Sequence, residues 1–270
     1  MEYVMTCTNE ELALLVTLNG YPNVAKGIAE ASIGERSSRE WNAIMEVTIH
    51  QLILKGMWDN NKEKNGDVPI PDELKNFIES YVNSKWMFRC SNTQNKSLLN
   101  IHHIDGETWL SHIVERDIIH EFSYITIKEI PEIVREYYAF DIPEHANDFT
   151  FHLSDKAFDL LNEKRNVKKV HKISNFPEDE EKSFLEFVED LKSNEWILSN
   201  ISYFHIPDYN NDPLLQNIVF FLPSSTGIWV VEYLQNTLEQ PVRISLKSSD
   251  DWLEIVSGIE EVAHLNNSVS

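Results

Sequence analysis

Before residue 85, three stretches set apolar side chains at helical spacing. Leu12, Leu15 and Val16 follow Thr8-Asn9-Glu10-Glu11, whose Thr and Glu stand three apart as in a capping box, and Gly20 makes a natural stop. Ser37-Ser38-Arg39-Glu40 opens a second helix, striped by Trp41, Ile44, Met45, Thr48, Ile49, Leu52 and Ile53 and closed at Lys55-Gly56. Pro71-Asp72-Glu73 starts a third, with Leu74, Phe77, Ile78, Tyr81 and Val82. A glycine-bearing connection with Gly27 and Gly34 joins the first two, and Asn60 to Gly66 reads as a polar loop.

The pattern then changes to short apolar runs with turn signals. Residues 85 to 90 and 98 to 104 read as strands around a polar loop, and Asp105-Gly106 turns into Thr108 to Val114. Phe122 to Lys128 makes another strand, and Ile130, Ile133, Val134 and Tyr137 a helix. The same succession recurs from Ile218 to Ile259: strand, Gly227 turn, Ile228 to Leu234, Val242 to Lys247, then a capped helix with Trp252, Ile255, Val256 and Ile259. Trp109 to Lys128 spans 19 positions and Trp229 to Lys247 spans 18. The chain therefore predicts an α+β fold of two pseudo-repeated halves around a largely antiparallel sheet with flanking helices.

Asp141 to Asp148, with Pro143, is the expected joint, giving halves 1–145 and 146–270 in one globular unit. The second half restarts with a helix over 154–165, in which Ser154 and Leu160-Leu161 repeat the offsets of Thr8 and Leu14-Leu15. Lys164, Arg165, Lys168, Lys169 and Lys172 form a basic cluster at its end, read as helix-terminus cations and a solvated loop. Pro177 and four acidic residues open a helix buried through Phe184, Phe187, Val188 and Leu191, and a strand at 195–206 follows.

Composition narrows the function. A formal net charge of −21 over 270 residues argues against nucleic-acid or anionic-membrane partners, which need a basic face. Residues 39 to 82 have the outline of a winged-helix segment, and the charge balance speaks against DNA there too. The N-terminus lacks the features of a signal peptide and no apolar run approaches a membrane span, so the expectation is a cytoplasmic protein. Cys7 and Cys90 form neither a zinc spacing nor a CxxC pair.

Chemistry finds few footholds. There is no Walker loop, dinucleotide turn or Gly-x-Ser-x-Gly elbow. His102, His103, His112 and His120 are the best metal candidates. A two-residue turn at Asp105-Gly106 puts His112 opposite Leu99, with His103 on its face but four residues along, roughly 13 Å at ~3.3 Å per residue. Zinc needs nitrogens about 2.0–2.1 Å from one ion. The reading is no metal, no cofactor and no catalytic residue, with Trp109 and Trp229 as core anchors.

Thr8 to Leu15, Leu52-Ile53-Leu54-Lys55-Gly56-Met57, Asp72-Glu73-Leu74, Gly106 to Ser111, Gly227 to Val231 and Leu246 to Ile259 come in an order and spacing that resembles the EspG family. Its members are cytosolic chaperones of type VII (ESX) secretion. The resemblance implies a non-enzymatic adaptor that masks the helical tip of a secretion substrate: a PE/PPE-, WXG- or LXG-like protein. In that family a loop between early strands and the helical part of the second half make the contact; the matching loop here, Ser91 to Ser97, is short.

Two polar loops at equivalent places in the repeat are the expected partner-binding residues: Asn92, Thr93, Gln94, Asn95 and Lys96, with Asp208, Tyr209, Asn210 and Asn211. Tyr209 is the aromatic among them and suits an interface anchor. The competing reading is an immunity protein that neutralises a cognate toxin by direct binding.

Overall fold

The computed structural model describes residues 1–34, 36–92, 96–141, 143–144, 146–234 and 239–256. They fall into two compact units, one of residues 1–129 with 203–216 and one of 130–202 with 217–270. The units therefore do not part at a single cut near residue 145, because the stretch around 203–216 belongs with the first.

In the first unit, β1 (Glu2–Thr8) leads directly into α1 (Asn9–Leu18), followed by α2 (Pro22–Ile33), α3 (Ser38–Leu54), α4 (Asn60–Asn65) and α5 (Asp72–Val82). The meander β2 (Trp86–Asn92), β3 (Ser97–Asp105), β4 (Thr108–Glu115) and β5 (Ile119–Thr126) comes next. Its strands lie in the order β1-β5-β4-β3-β2, with each described ladder antiparallel. Leu12, Leu15 and Val16 of α1, Leu52 of α3 and Phe77 and Ile78 of α5 pack with Met5, Leu110 and Phe122 of the sheet.

The second unit begins with α6 (Ile130–Tyr138), β6 (Thr150–Leu153), α7 (Asp155–Leu160), α8 (Val167–Ser174) and α9 (Glu178–Ser193). β7 (Ser199–His205) and β8 (Leu214–Ser224) both cross the limit between the units. β9 (Gly227–Tyr233) and β10 (Val242–Lys247) complete the strands, and a further helix occupies 249–256. β8, β9, β10 and β6 are neighbours in that order, and their described ladders are antiparallel. Phe151, Phe184, Phe187 and Trp229 form the centre of its core.

The expected α+β architecture is what the chain adopts. The repeat runs deeper than the two meanders. β1 returns to flank β5, the last strand of its meander, and β6 returns to flank β10 in the same way. Each then enters a helix capped by a hydroxyl, Thr8 to the Glu11 amide and Ser154 to the Ala157 amide. The predicted caps at Thr8, Ser37 and Ser248 all form, and Trp109 and Trp229 are both buried.

Other elements differ from expectation. The connection with Gly27 is α2, started by Pro22 and packed through Ala25 and Ala29, whose small side chains admit close approach to α1. The polar segment after Asn60 is a short helix ended by Gly66 at φ +79°. Residues 154–165 are not one helix: α7 ends at Leu160, and a 3-10 turn over Lys164–Asn166 leads into α8. β1 and the four-residue β6 carry no legible period of their own and exist because β5 and β10 offer them edges.

Candidate protein-binding surface

The two expected loops sit at opposite ends of one strand. The Ile206 amide donates to Lys85 O, and Lys85 Nζ donates to Pro207 O, so the loop after β7 lies at the start of β2. Asn92, the last residue of β2, and Lys96, just before β3, lie at the far end of β2, about 20 Å away at ~3.3 Å per residue. Thr93, Gln94 and Asn95 lie outside the described residues. The described residues of the two segments, Asn92 and Lys96 on one side and 208–211 on the other, therefore lie at opposite ends of β2.

The 208–211 loop is held by its own unit. Asp208 accepts from the Asn210 amide at 2.7 Å and from the side chain of Asn211. Tyr209 stands edge-on to Tyr21 with ring centroids 5.0 Å apart, and Tyr21 Oη in turn accepts from Asn83. Part of the tyrosine expected to serve as an anchor is therefore spent on packing against the entrance to α2.

Lys96 has a different neighbourhood. Lys96 O, from a residue at φ +50°, accepts the Arg116 amide at 2.9 Å, placing the start of β3 beside the β4–β5 turn. That turn receives the start of α1: the Asn9 amide donates to Ile118 O at 3.1 Å and Asn9 Nδ2 to Asp117 O at 2.6 Å. Beside the start of α1 opens a groove of about 480 Å³ lined by Thr8, the N-cap of α1, by Glu10 of α1 and by Ala43, Ile44, Val47, Thr48 and Gln51 of α3.

The groove's α3 face is more apolar than solvent exposure favours. Val47 is 58% exposed and Leu54, two turns on along that face, 86%, while Ile118 of the β4–β5 turn and Ile119 at the start of β5 are exposed as well. Sequence periodicity marked a neighbouring stripe of α3 centred on the buried Leu52, of which only Ile44 and Thr48 reach the groove. The signal missed was that α3 carries apolar residues beyond that stripe, at Ala43, Val47 and Leu54.

Beneath the start of α1 runs a buried polar chain. Asn9 Oδ1 lies 2.6 Å from His120 Nε2, and His120 Nδ1 lies 2.8 Å from His112 Nε2. Because Asn9 Nδ2 donates to a carbonyl, Asn9 Oδ1 must accept, so His120 carries its proton on Nε2. His120 Nδ1 then accepts from His112 Nε2–H, and His112 Nδ1 is left bare. Among the described residues, His112 Nδ1 and both nitrogens of His102 have no hydrogen-bond partner.

Burial holds His102 and His120 at about 4 and His112 well below the usual imidazole range; the other two histidines lower His112 further, while Glu10 opposes the shift at His120. Cys7, paired across the ladder with His120, has its thiol pushed up to about 12 by burial and the Glu11 carboxylate, against Lys55.

His102 replaces His103 in this group for a reason of register. The turn places Asp105 opposite Thr108, and the ladder shifts between His103 and Asp105. His112 consequently faces Asn100, not Leu99, and His102 joins its side of the sheet. His103 falls on the other side, against Trp109. Among the described residues, no three His, Cys, Asp or Glu side chains are placed to share a metal ion.

Residues 9–248, from the first residue of α1 to just past β10, match a family described as Uncharacterised protein YfjC. The chain belongs to the YfjC family. No curated protein shows significant similarity to it. The family match covers both meanders and every residue lining the groove except Thr8. No described helix is long and apolar enough to cross a membrane.

Proposed function

We propose that the protein is a non-enzymatic adaptor that holds an amphipathic helix of a partner protein against the α1–α3 groove. The observation that carries this reading is the exposed apolar face of α3, with Val47 and Leu54 outward beside the groove of about 480 Å³. Helix-in-groove recognition uses such a surface, taking anchors one and two turns apart from the incoming helix. Asn92 and Lys96 stand at the same end of the unit, on either side of the segment where the EspG-like resemblance places a substrate-binding loop. That resemblance supplies the partner class: a helical-hairpin substrate of type VII secretion, of PE/PPE, WXG or LXG type, bound in the cytoplasm.

Co-expression with helical-hairpin proteins encoded nearby tests the reading. A stable complex is expected, weakened at least tenfold by Val47→Glu with Leu54→Glu. If no such protein co-purifies and a neighbouring toxin instead binds tightly and loses its activity, the adaptor reading gives way to an immunity protein.

A further inference from the structure

The groove and the buried histidines share one piece of structure, the first turn of α1. Thr8 and Glu10 line the groove, and Asn9 between them is tied inward by three hydrogen bonds: from His120 Nε2, to Asp117 O and to Ile118 O. We propose that the Asn9–His120–His112 chain is a proton-operated latch that fixes the groove wall at neutral pH and frees it on acidification. This rests on the groove being the binding site only for its consequence, not for the latch itself.

The hydrogen-bond directions make the chain sensitive to one added proton. His120 Nδ1 is the acceptor in the middle. Once protonated it faces His112 Nε2–H, donor against donor, at a separation of 2.8 Å. To restore the bond, His112 must move its proton to Nδ1, a position with no acceptor among the described residues. Phe122 stacks on the His112 ring at 4.2 Å, and Tyr81 meets its edge at 5.5 Å, so the ring has little freedom to turn away. The least obstructed outcome is that His120 swings out toward Glu10 and gives up Asn9.

The groups facing the chain come from every neighbouring element. α1 contributes Glu10, and Glu11 paired with Lys55 just past α3; β1 contributes Cys7, β3 His102 and α5 Tyr81. Glu10 favours a charged His120, whereas His102 and burial oppose a charged His112. Charge therefore collects at the α1 end of the chain, where the wall is.

Hydrogen exchange on the free protein at pH 7.5 and pH 5.0, corrected for intrinsic rates, tests the latch without any partner. The amides of Asn9 and Glu11, bonded to Ile118 O and Thr8 Oγ1, should lose at least tenfold more protection on acidification than those of Leu99 to Ile101 in β3. His120→Gln keeps a donor for Asn9 and cannot titrate, so its α1 amides should respond to pH no more than β3 does. If that variant does not fold, the His120 ring resonances of the wild-type protein should titrate in step with the loss of protection. Equal losses in α1 and β3, or a pH response retained in His120→Gln, would overturn the latch while leaving the partner-binding proposal untouched.

Discussion

Lys55 Nζ lies 2.7 Å from Oε2 of Glu11, a carboxylate whose side chain is only 1% exposed. The same oxygen accepts the Thr8 amide at 2.8 Å, so the cap of α1 and the end of α3 meet at one buried charge. Lys55→Met removes the cation and leaves that charge uncompensated. A loss of roughly 1–3 kcal/mol is expected, below the full cost of breaking a buried pair because Lys55 is half exposed. Chemical denaturation should show it, and Glu11→Gln added to Lys55→Met should recover part; an unchanged midpoint would refute the coupling.

Gly227 opens β9 at φ +153°, and a Cβ there would stand 2.7 Å from Lys247 O and 2.8 Å from Leu246 Cγ. Backbone cannot yield as a flexible side chain does. Gly227→Ala should cost about 1–3 kcal/mol, read as a lowered melting temperature. Gly106→Ala meets no atom within 4 Å and pays only for its positive φ, so it should cost less.

Acid should destabilise the first unit early. His102 and His120 are neutral in the fold with values near 4, and an unfolded imidazole titrates near 6.5. Between those limits the unfolded chain binds more protons, so stability falls as pH falls, by up to ~1.4 kcal/mol per pH unit for each histidine. His102→Phe should flatten the slope of unfolding free energy between pH 6.5 and 4. A slope the same as wild type would show that His102 is not a neutral buried group.

Val47→Glu and Leu54→Glu replace exposed side chains and should each leave stability within about 0.5 kcal/mol of wild type. A large drop in melting temperature would mean that the α3 face is covered within the protein itself and is no docking surface.

Native protein should resist thiol reagents at pH 8. Cys7 and Cys90 are both buried, and the Cys7 thiol is pushed up to about 12. Ellman's reagent should react only after unfolding; a rapid native-state reaction would contradict this burial.

Local physics made much of the fold legible in the sequence. Capping boxes at Thr8, Ser37 and Ser248 involve residues three apart, so they are written in the chain whatever packs around them. The two meanders and their buried tryptophans were legible for the same reason, because strand periods and glycine turns are short-range. β1 and β6 were not, since a short strand is defined by the edge it joins, 111 positions away where Thr8 pairs with Ile119 and 89 where Leu153 pairs with Val242. The histidine chain depended on a one-residue shift in the β3–β4 ladder, which moved His102 to the His112 side and His103 away. The groove was hidden too: α3 is apolar on more than one face, and only its packing against α1 decided that Leu52 goes inside and Val47 and Leu54 stay out. The sequence by itself determined which segments become helices and strands. Tertiary packing decided which faces meet, because that choice is a competition among distant apolar surfaces and no local pattern records its result.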